Sequence, residues 1–410
     1  MKKVDLVVCP SSLIHLHCHL GTACHLVTAW DYGWNIGTDL DIFLCFEGGL
    51  LFHFAFFPQC ITMASIRFRS FQLSKKVALA ISRGSSAGSK SFIVEVEVDG
   101  ITGIGEAAEF EIPVHGEDAT RIVNDLEKCI SLLQDCHPTQ RHLIESTLIN
   151  AGIGSSTRAA IDMALYDWAG KATRQPVWKL LGLEPTPRGP ISVTVGINSP
   201  AGAQDRLRKW QEIGKIRAIK IKLGSPAGLD ADRAMLDAVR EIAPEDSYLG
   251  VDANCGWSLH QAIEMSAWLA SRNVVHIEQP LAPADDHLLG QLHEKSLLPI
   301  FIDESCRSSS DIVRLGRVVH GINIKITKCG GLSEALRMIA TANAFGLKTM
   351  IGCYGNTALG NGAAHQLASL IDYIDLDSHL NLSNDPTVGL TFDDGYLANQ
   401  DLPGIGVRYA

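Results

Sequence analysis

Short β-rich runs recur every 22 to 30 residues through the second half of the chain, each followed by a stretch of helical character. They are Ile191 to Ile197, Ala218 to Leu223, Tyr248 to Ala253, Val274 to Glu278, Pro299 to Asp303, Gly321 to Thr327, Leu347 to Gly352 and Leu370 to Leu376. Strands alternating with helices at this spacing indicate βαβ units, and eight of them are the number that closes a (β/α)8 TIM barrel. Side chains along a barrel strand alternate between the interior and the helix layer, so the parity of each residue predicts the side it faces.

Parity places charge inside the barrel. In the second run Ile219, Ile221 and Leu223 suit the helix layer, which turns Lys220 and Lys222 inward near the C-terminal end. The third run turns Asp252 inward, the fourth Glu278 and the fifth Asp303, so three successive strands each end in an interior carboxylate. In the sixth, Ile322, Ile324 and Ile326 face outward and Lys325 inward, roughly opposite Lys222. Three bare carboxylates in an apolar mouth repel one another and lose hydration, so an oxygen-seeking divalent cation is the natural neutraliser, with Mg2+ the first choice and one ion per subunit.

That arrangement suggests a reaction. A substrate carboxylate bound to the cation becomes a stronger carbon acid at its α-carbon, because the cation stabilises the enediolate left when the proton departs. A lysine on each face then exchanges protons, and removal from one face with return on the other inverts the stereocentre. Lysine is ordinarily protonated near neutrality, but burial beside a metal and a second ammonium lowers its pKa toward roughly 7 to 8, and Lys220 is placed to act on Lys222 in this way.

The remainder of the chain reads differently. With 410 residues, 46% of them hydrophobic, the chain is long enough for two domains and an appendage. Residues 1 to 62 hold five of the eleven cysteines, five of the fifteen histidines and no arginine, and are read as an N-terminal extension of unknown role. Residues 63 to 188 read as an α+β capping domain. Alternation over 65 to 71 and 92 to 98 predicts antiparallel strands joined across a flexible Gly/Ser loop at 83 to 88. Helical spacing runs from Asp118 to Leu133 and from Ser156 to Gly170, the second opening on the cap cluster Ser155, Ser156 and Thr157. The barrel then covers 189 to 378, and 379 to 410 return to the cap.

Lys plus Arg number 35 against 45 Asp plus Glu, a net charge of −10, which argues against nucleic acid or anionic membrane as partners. Self-association into a homo-oligomer is compatible with this composition. The cysteines are scattered and form no CxxC pair, which points to a reducing, cytoplasmic setting. Glu47 and His53 interrupt the longest apolar stretch, so no transmembrane helix is expected.

The motifs together carry a resemblance. LysIleLys at 220 to 222, ValAspAlaAsn at 251 to 254, IleGluGlnPro at 277 to 280, AspGluSer at 303 to 305 and LysIleThrLysCysGlyGly at 325 to 331 resemble the muconate-cycloisomerase subgroup of the enolase superfamily from about Met63 onward. The resemblance implies a cap over a modified barrel, Mg2+ on Asp252, Glu278 and Asp303, and acid/base roles for Lys222 and Lys325. Subgroup activities include cycloisomerisation, o-succinylbenzoate synthesis, N-acylamino acid racemisation and dipeptide epimerisation. Asp375 and Asp377, in IleAspLeuAspSer, are similar to the Asp-x-Asp with which dipeptide epimerases receive the free α-ammonium. Arg83, in IleSerArgGlySer, is similar to the cap-loop arginine that reads a terminal Glu, so the resemblance implies a dipeptide substrate, with L-Ala-D/L-Glu first.

Two features depart from the pattern. CysTyrGlyAsnThr at 353 to 357 stands where these epimerases usually carry a Met-x-Glu-Ser-like run, and Lys328 has the wrong parity for the interior if its strand continues. Lys328 is therefore read as structural or as supporting the site from behind. A rival reading comes from HisLeuHisCysHisLeu at 15 to 20, which looks like the His-x-His that opens the barrel of metal-dependent amidohydrolases. It lacks the later inward histidines such a site needs, His276 being the only one at an inward strand position.

Overall fold

The computed structural model describes residues 65 to 410 and, before them, five short strands: β1 (Asp5–Val8), β2 (Ile14–His17), β3 (His25–Val27), β4 (Leu40–Cys45) and β5 (Leu51–Phe56). β1 pairs with β2, and β3, β4 and β5 form a second antiparallel sheet. Met1–Ile61 and Thr62–Ala410 are separate compact units. The side chains of His15 and His17 lie outside the described residues, but their strand is no part of the eight-stranded barrel, so they do not open it as a hydrolase pair would.

The second unit begins with a three-stranded antiparallel sheet, β6 (Ser65–Ile81), β7 (Gly84–Val98) and β8 (Ile101–Ala108), followed by the short strands β9 (Phe110–Ile112) and β10 (His115–Glu117). Helices α1 (Ala119–Leu132), α2 (Arg141–Asn150), α3 (Ser155–Thr173) and α4 (Val177–Leu180) come next. Phe92, Val94 and Val96 face Ile122, Leu126, Leu148 and Ile161 in the cap's own core. The expected flexible loop at 83 to 88 is instead ordered strand. Leu79 pairs with Ser86, Ala80 with Ser85 and Ile81 with Gly84, so only Ser82 and Arg83 make the turn. Backbone pairing outweighs the turn preference of the Gly/Ser run.

The start of α3 also differs from expectation. Its serines do not cap it; the buried carboxylate of Glu117 accepts from the Ser155 and Ser156 N–H groups at 2.6 and 3.0 Å. A cap acid supplied from another element satisfies the same orphan donors.

Strands β11 (Ser192–Val195), β12 (Ala218–Lys222), β13 (Tyr248–Asp252), β14 (Val274–Glu278), β15 (Ile300–Ile302), β16 (Gly321–Lys325), β17 (Lys348–Gly352) and β18 (Tyr373–Asp375) form the eight-stranded parallel sheet in chain order. A bridge from Ile191 to Ile374 brings its two edges together. The outer helices are α5 (Pro200–Gln211), α6 (Leu229–Ile242), α7 (Leu259–Ala270), α8 (Leu289–Lys295) and α9 (Ser309–Leu315). After β16 come the one-turn α10 (Ile326–Cys329), α11 (Leu332–Ala344) and, after β17, α12 (Ala358–His365). Ile219, Ile221, Val251, Ile277, Ile302, Ile322 and Ile324 pack against those helices, as parity predicts. The sixth strand ends earlier than its isoleucine pattern suggests, because the chain turns into α10 at Ile326.

Cap and barrel are locked at several points. The buried Asp167 accepts from the N–H groups of Ile104 in the cap and Ile405 in the C-terminal segment, at 2.9 and 2.8 Å. Glu106 on β8 accepts from the N–H groups of Thr357 and Gly360 at the start of α12. Strand β8 also lies so close to α3 that a Cβ on Gly105 would sit 2.0 Å from the Ala160 carbonyl oxygen. Gly105→Ala is therefore expected to lower stability by at least ~2 kcal/mol in a urea titration, as overpacking does. Gly290→Ala on α8, whose added methyl meets nothing nearer than 3.7 Å, should be neutral or gain up to ~1 kcal/mol in the same assay.

Candidate active site

The C-terminal ends of the barrel strands gather the charged residues. Register sets Lys222 beside Asp252 and Asp252 beside Glu278, while Asp303 follows the last residue of β15 and Lys325 ends β16. All are buried, with Asp252 and Glu278 at 0% and Asp303 at 1% exposure. Lys222 donates to Asp252 at 2.6 Å and Lys325 to Asp303 at 2.7 Å. These five residues meet as the sequence predicts.

The backbone around them is strained. Asn254, Cys255 and Gln279 adopt φ values of 43°, 68° and 35°, which side chains other than glycine rarely take. The side chain of Gln279 explains its own turn. Its Oε1 accepts from the N–H groups of Asp303 and Ser305 at 2.8 and 3.2 Å, so one carboxylate-bearing strand end positions the next.

Lys220 is where the sequence reading needs correction. The sequence pattern places it beside Lys222 as a charge that lowers the latter's pKa. Its Nζ lies 2.6 Å from both Glu278 and Asp375 and 3.6 Å from Asp252. Burial alone would lower its pKa, but Asp375, Glu278 and Asp252 together hold it well above the usual lysine value. An ammonium in this position compensates buried negative charge.

The same electrostatics govern the acids. Burial would raise Asp252, yet Lys222 and Lys220 keep it below its ordinary value. Burial likewise opposes ionisation of Asp303, but Lys325 and Lys328 hold it far down. Burial, with Asp252 beside it, pushes Glu278 up to about 7 against the pull of Lys220.

Several residues escaped the sequence reading or were placed only loosely. Lys328 reaches the site because α10 replaces strand: its Nζ donates to the Asp303 carbonyl and Oδ1, both at 2.5 Å. Asn323, at the same inward parity as Lys325, donates to Glu278 at 2.7 Å, and parity alone could have found it. Tyr354 places its ring face 4.3 Å from the Lys325 Nζ and stacks on Phe110 of the cap, with centroids 5.0 Å apart.

The candidate substrate residues divide. Asp375 is tied to Lys220 and accepts from Ser192 Oγ at 2.8 Å, so the ammonium-binding pair inferred from the resemblance is not a pair of equivalent carboxylates. Asp377 accepts from the Thr194 N–H at 2.7 Å and lines the cavity. Burial and the adjacent Asp375 raise its pKa. Arg83 reaches the barrel mouth from the cap turn, where its Nη1 donates to the Asn254 carbonyl at 2.7 Å and lies 3.0 Å from Glu304.

The acids suit a hard divalent cation by donor type. Among the described residues no three of these side chains converge on one point, because their oxygens turn onto lysine ammonium groups. Among the described residues the buried Glu304 Oε2 and Asn254 Oδ1 have no hydrogen-bond partner, and a cation or its water would satisfy them. The whole constellation opens into a cavity of about 1460 Å3 between cap turn and barrel mouth, large enough for a small organic substrate.

Comparison with known proteins agrees with this geometry. Residues 65–182 match the mandelate racemase / muconate lactonizing enzyme N-terminal domain and residues 202–410 the enolase C-terminal domain-like family. The chain is 43% identical over 346 residues to a hydrophobic dipeptide epimerase of Roseobacter litoralis, covering 83% of this chain and 98% of that one. It is 33% identical to an L-Ala-D/L-Glu epimerase of Bacteroides thetaiotaomicron, covering 83% and 86%. The crystal structure of a dipeptide epimerase from Enterococcus faecalis, complexed with Mg and L-Leu-L-Tyr, superposes with a TM-score of 0.79 at 28% identity, covering 85% of this chain and 100% of that one.

The reassignment of Lys220 has a measurable consequence. Lys220→Met leaves Glu278 and Asp375 buried beside each other without their shared counter-charge, and the metal-free protein should lose ~3 to 5 kcal/mol in denaturant unfolding. An unchanged unfolding midpoint would mean that Lys220 does not hold the acid cluster together.

Proposed function

The chain belongs to the mandelate racemase / muconate lactonizing enzyme family of the enolase superfamily, and on that footing we propose that it is a magnesium-dependent dipeptide epimerase. It inverts the α-carbon of the second residue, which loses a proton from one face and gains one on the other. The carrying observation is the placement of Lys222 and Lys325, which end strands four apart around an eight-stranded barrel and so approach the mouth from opposite sides. Inversion requires a base on one face of the reacting carbon and an acid on the other.

In this reading Lys222 takes the α-proton of one epimer and Lys325 returns a proton to the opposite face; in the reverse direction they exchange roles. Asp252, Glu278 and Asp303 hold the magnesium ion, which draws charge from the substrate carboxylate and makes the α-proton more acidic. Lys220 and Lys328 hold those carboxylates in position through their contacts with Glu278, Asp375 and Asp303. Asp377 receives the substrate's α-ammonium, because a desolvated ammonium needs an opposing charge and an acceptor. The cap turn meets the barrel mouth through Ser82 and Arg83, both of which donate to the Asn254 carbonyl.

Lys222→Ala and Lys325→Ala should each abolish epimerisation. In deuterated water each variant should still exchange the α-proton of the epimer that presents it to the surviving lysine. Two variants that epimerise at near wild-type rates would sink the assignment, and activity that survives exhaustive chelation would remove the metal from it. An N-acetylated dipeptide should be a poor substrate; if it reacts as well as the free one, an N-acylamino acid racemase is the better description.

The second residue of the substrate has two readings. L-Ala-D/L-Glu rests on Arg83, whose Nε and Nη2 remain available for a carboxylate fork. A hydrophobic second residue is favoured by the engagement of Arg83 Nη1 with Asn254 and Glu304, and by the stacked Tyr354 and Phe110 on the cavity wall. Arg83→Ala decides between them. If Arg83 reads a glutamate, kcat/KM for Ala-Glu should fall by ~2 to 4 kcal/mol in transition-state terms while Ala-Leu is spared; an equal loss on both substrates assigns Arg83 to the architecture of the cap turn.

A further inference from the structure

Arg206 is a charged group that the proposed reaction leaves unused. It lies on α5, directly after the first barrel strand, and its side chain lines the cavity. It is partly buried, yet among the described residues its guanidinium makes neither an ion pair nor a hydrogen bond; its only contact of note is with the face of Trp210, 4.1 Å from the ring centroid. Burial lowers its pKa, and the nearby charge of Asp377 opposes that change.

Its position relative to Asp377 is set by a short chain of contacts. Trp210 is buried and donates its indole N–H to the Thr194 carbonyl at 2.8 Å, and the Thr194 N–H donates to Asp377 at 2.7 Å. Neighbouring cations have partners of their own: Lys75 donates to the Ser86 carbonyl and hydroxyl, Arg208 pairs with Asp205, and Arg83 pairs with Glu304. A guanidinium stacked on an indole keeps its planar edge free, and that edge matches a carboxylate with two parallel hydrogen bonds.

We propose that Arg206 forms a side-chain subsite for the first residue of the dipeptide and selects an acidic residue, glutamate or aspartate, there. The inference rests on the dipeptide reading above. With the α-ammonium on Asp377, the side chain of the first residue is the substrate group that projects along this wall, where Arg206 is a partly buried guanidinium without an ion pair or hydrogen bond among the described residues. Lys209, one turn further along α5, also lines the cavity and adds positive potential at its exposed rim.

The test is α-deuterium exchange in deuterated water with magnesium, using Glu-Leu, Ala-Leu, Glu-Glu and Ala-Glu. In the wild type the glutamate-first member of each pair should have at least a tenfold higher kcat/KM. Arg206→Gln should erase that ratio mainly through KM, Arg206→Lys should retain part of it, and Arg206→Glu should turn the preference toward Lys-Leu. A ratio that differs by less than twofold between the wild type and Arg206→Gln overturns the inference, as does a wild-type preference for alanine first. If Arg206→Gln does not fold, the same ratio in Arg206→Lys decides, and no change there overturns it. Exchange in dipeptides without dependence on Arg206 defeats only this subsite; absence of exchange in every dipeptide defeats the epimerase reading and the subsite with it.

Discussion

The mouth of this barrel gathers like charges in a space where water cannot screen them. Asp252, Glu278 and Asp303 would repel one another strongly at the ends of adjacent strands. Lys220, Lys222, Lys325 and Lys328 interleave with them, each within 2.7 Å of a carboxylate. Neutral groups finish the arrangement: Asn323 donates to Glu278, and Gln279 accepts from the backbone of Asp303. The positive φ angles at Asn254, Cys255 and Gln279 belong to the same requirement, since they turn the strand ends so that these groups meet.

The lysines are chemically distinct although they are neighbours. Lys220 and Lys328 lie deeper and each meets two or more acceptors. Lys222 and Lys325 each have one carboxylate partner and face the cavity. The difference is one of packing depth.

The cap brings the barrel a second set of contacts. Asn381 grips both the N–H and the carbonyl of Val77, Asn384 accepts from the Ser74 N–H, and the Ser82–Arg83 turn then arrives over Asn254. The lysines proposed to transfer protons thus sit on barrel strands, while the groups proposed to sort substrates sit on the cap turn, on α5 and in the segment after β17.

The alternation of apolar and polar residues determined the barrel, its eight strands and the inward direction of Lys220, Lys222, Asp252, Glu278, Asp303 and Lys325. That pattern is local: strand geometry repeats every two residues, so parity is readable from a few neighbours. What each inward residue does was decided only by tertiary structure. Lys220 and Asp375 are 155 positions apart, and their 2.6 Å contact arises where the barrel closes β18 against β11. Lys328 reaches Asp303 because the chain turns helical at Ile326, and Glu117 caps α3 from a strand 38 residues away. The Gly/Ser run at 83 to 88 became strand because β6 was there to pair with it. Partner choice depends on distances set by packing between segments remote in the chain, and local periodicity carries no information about those distances.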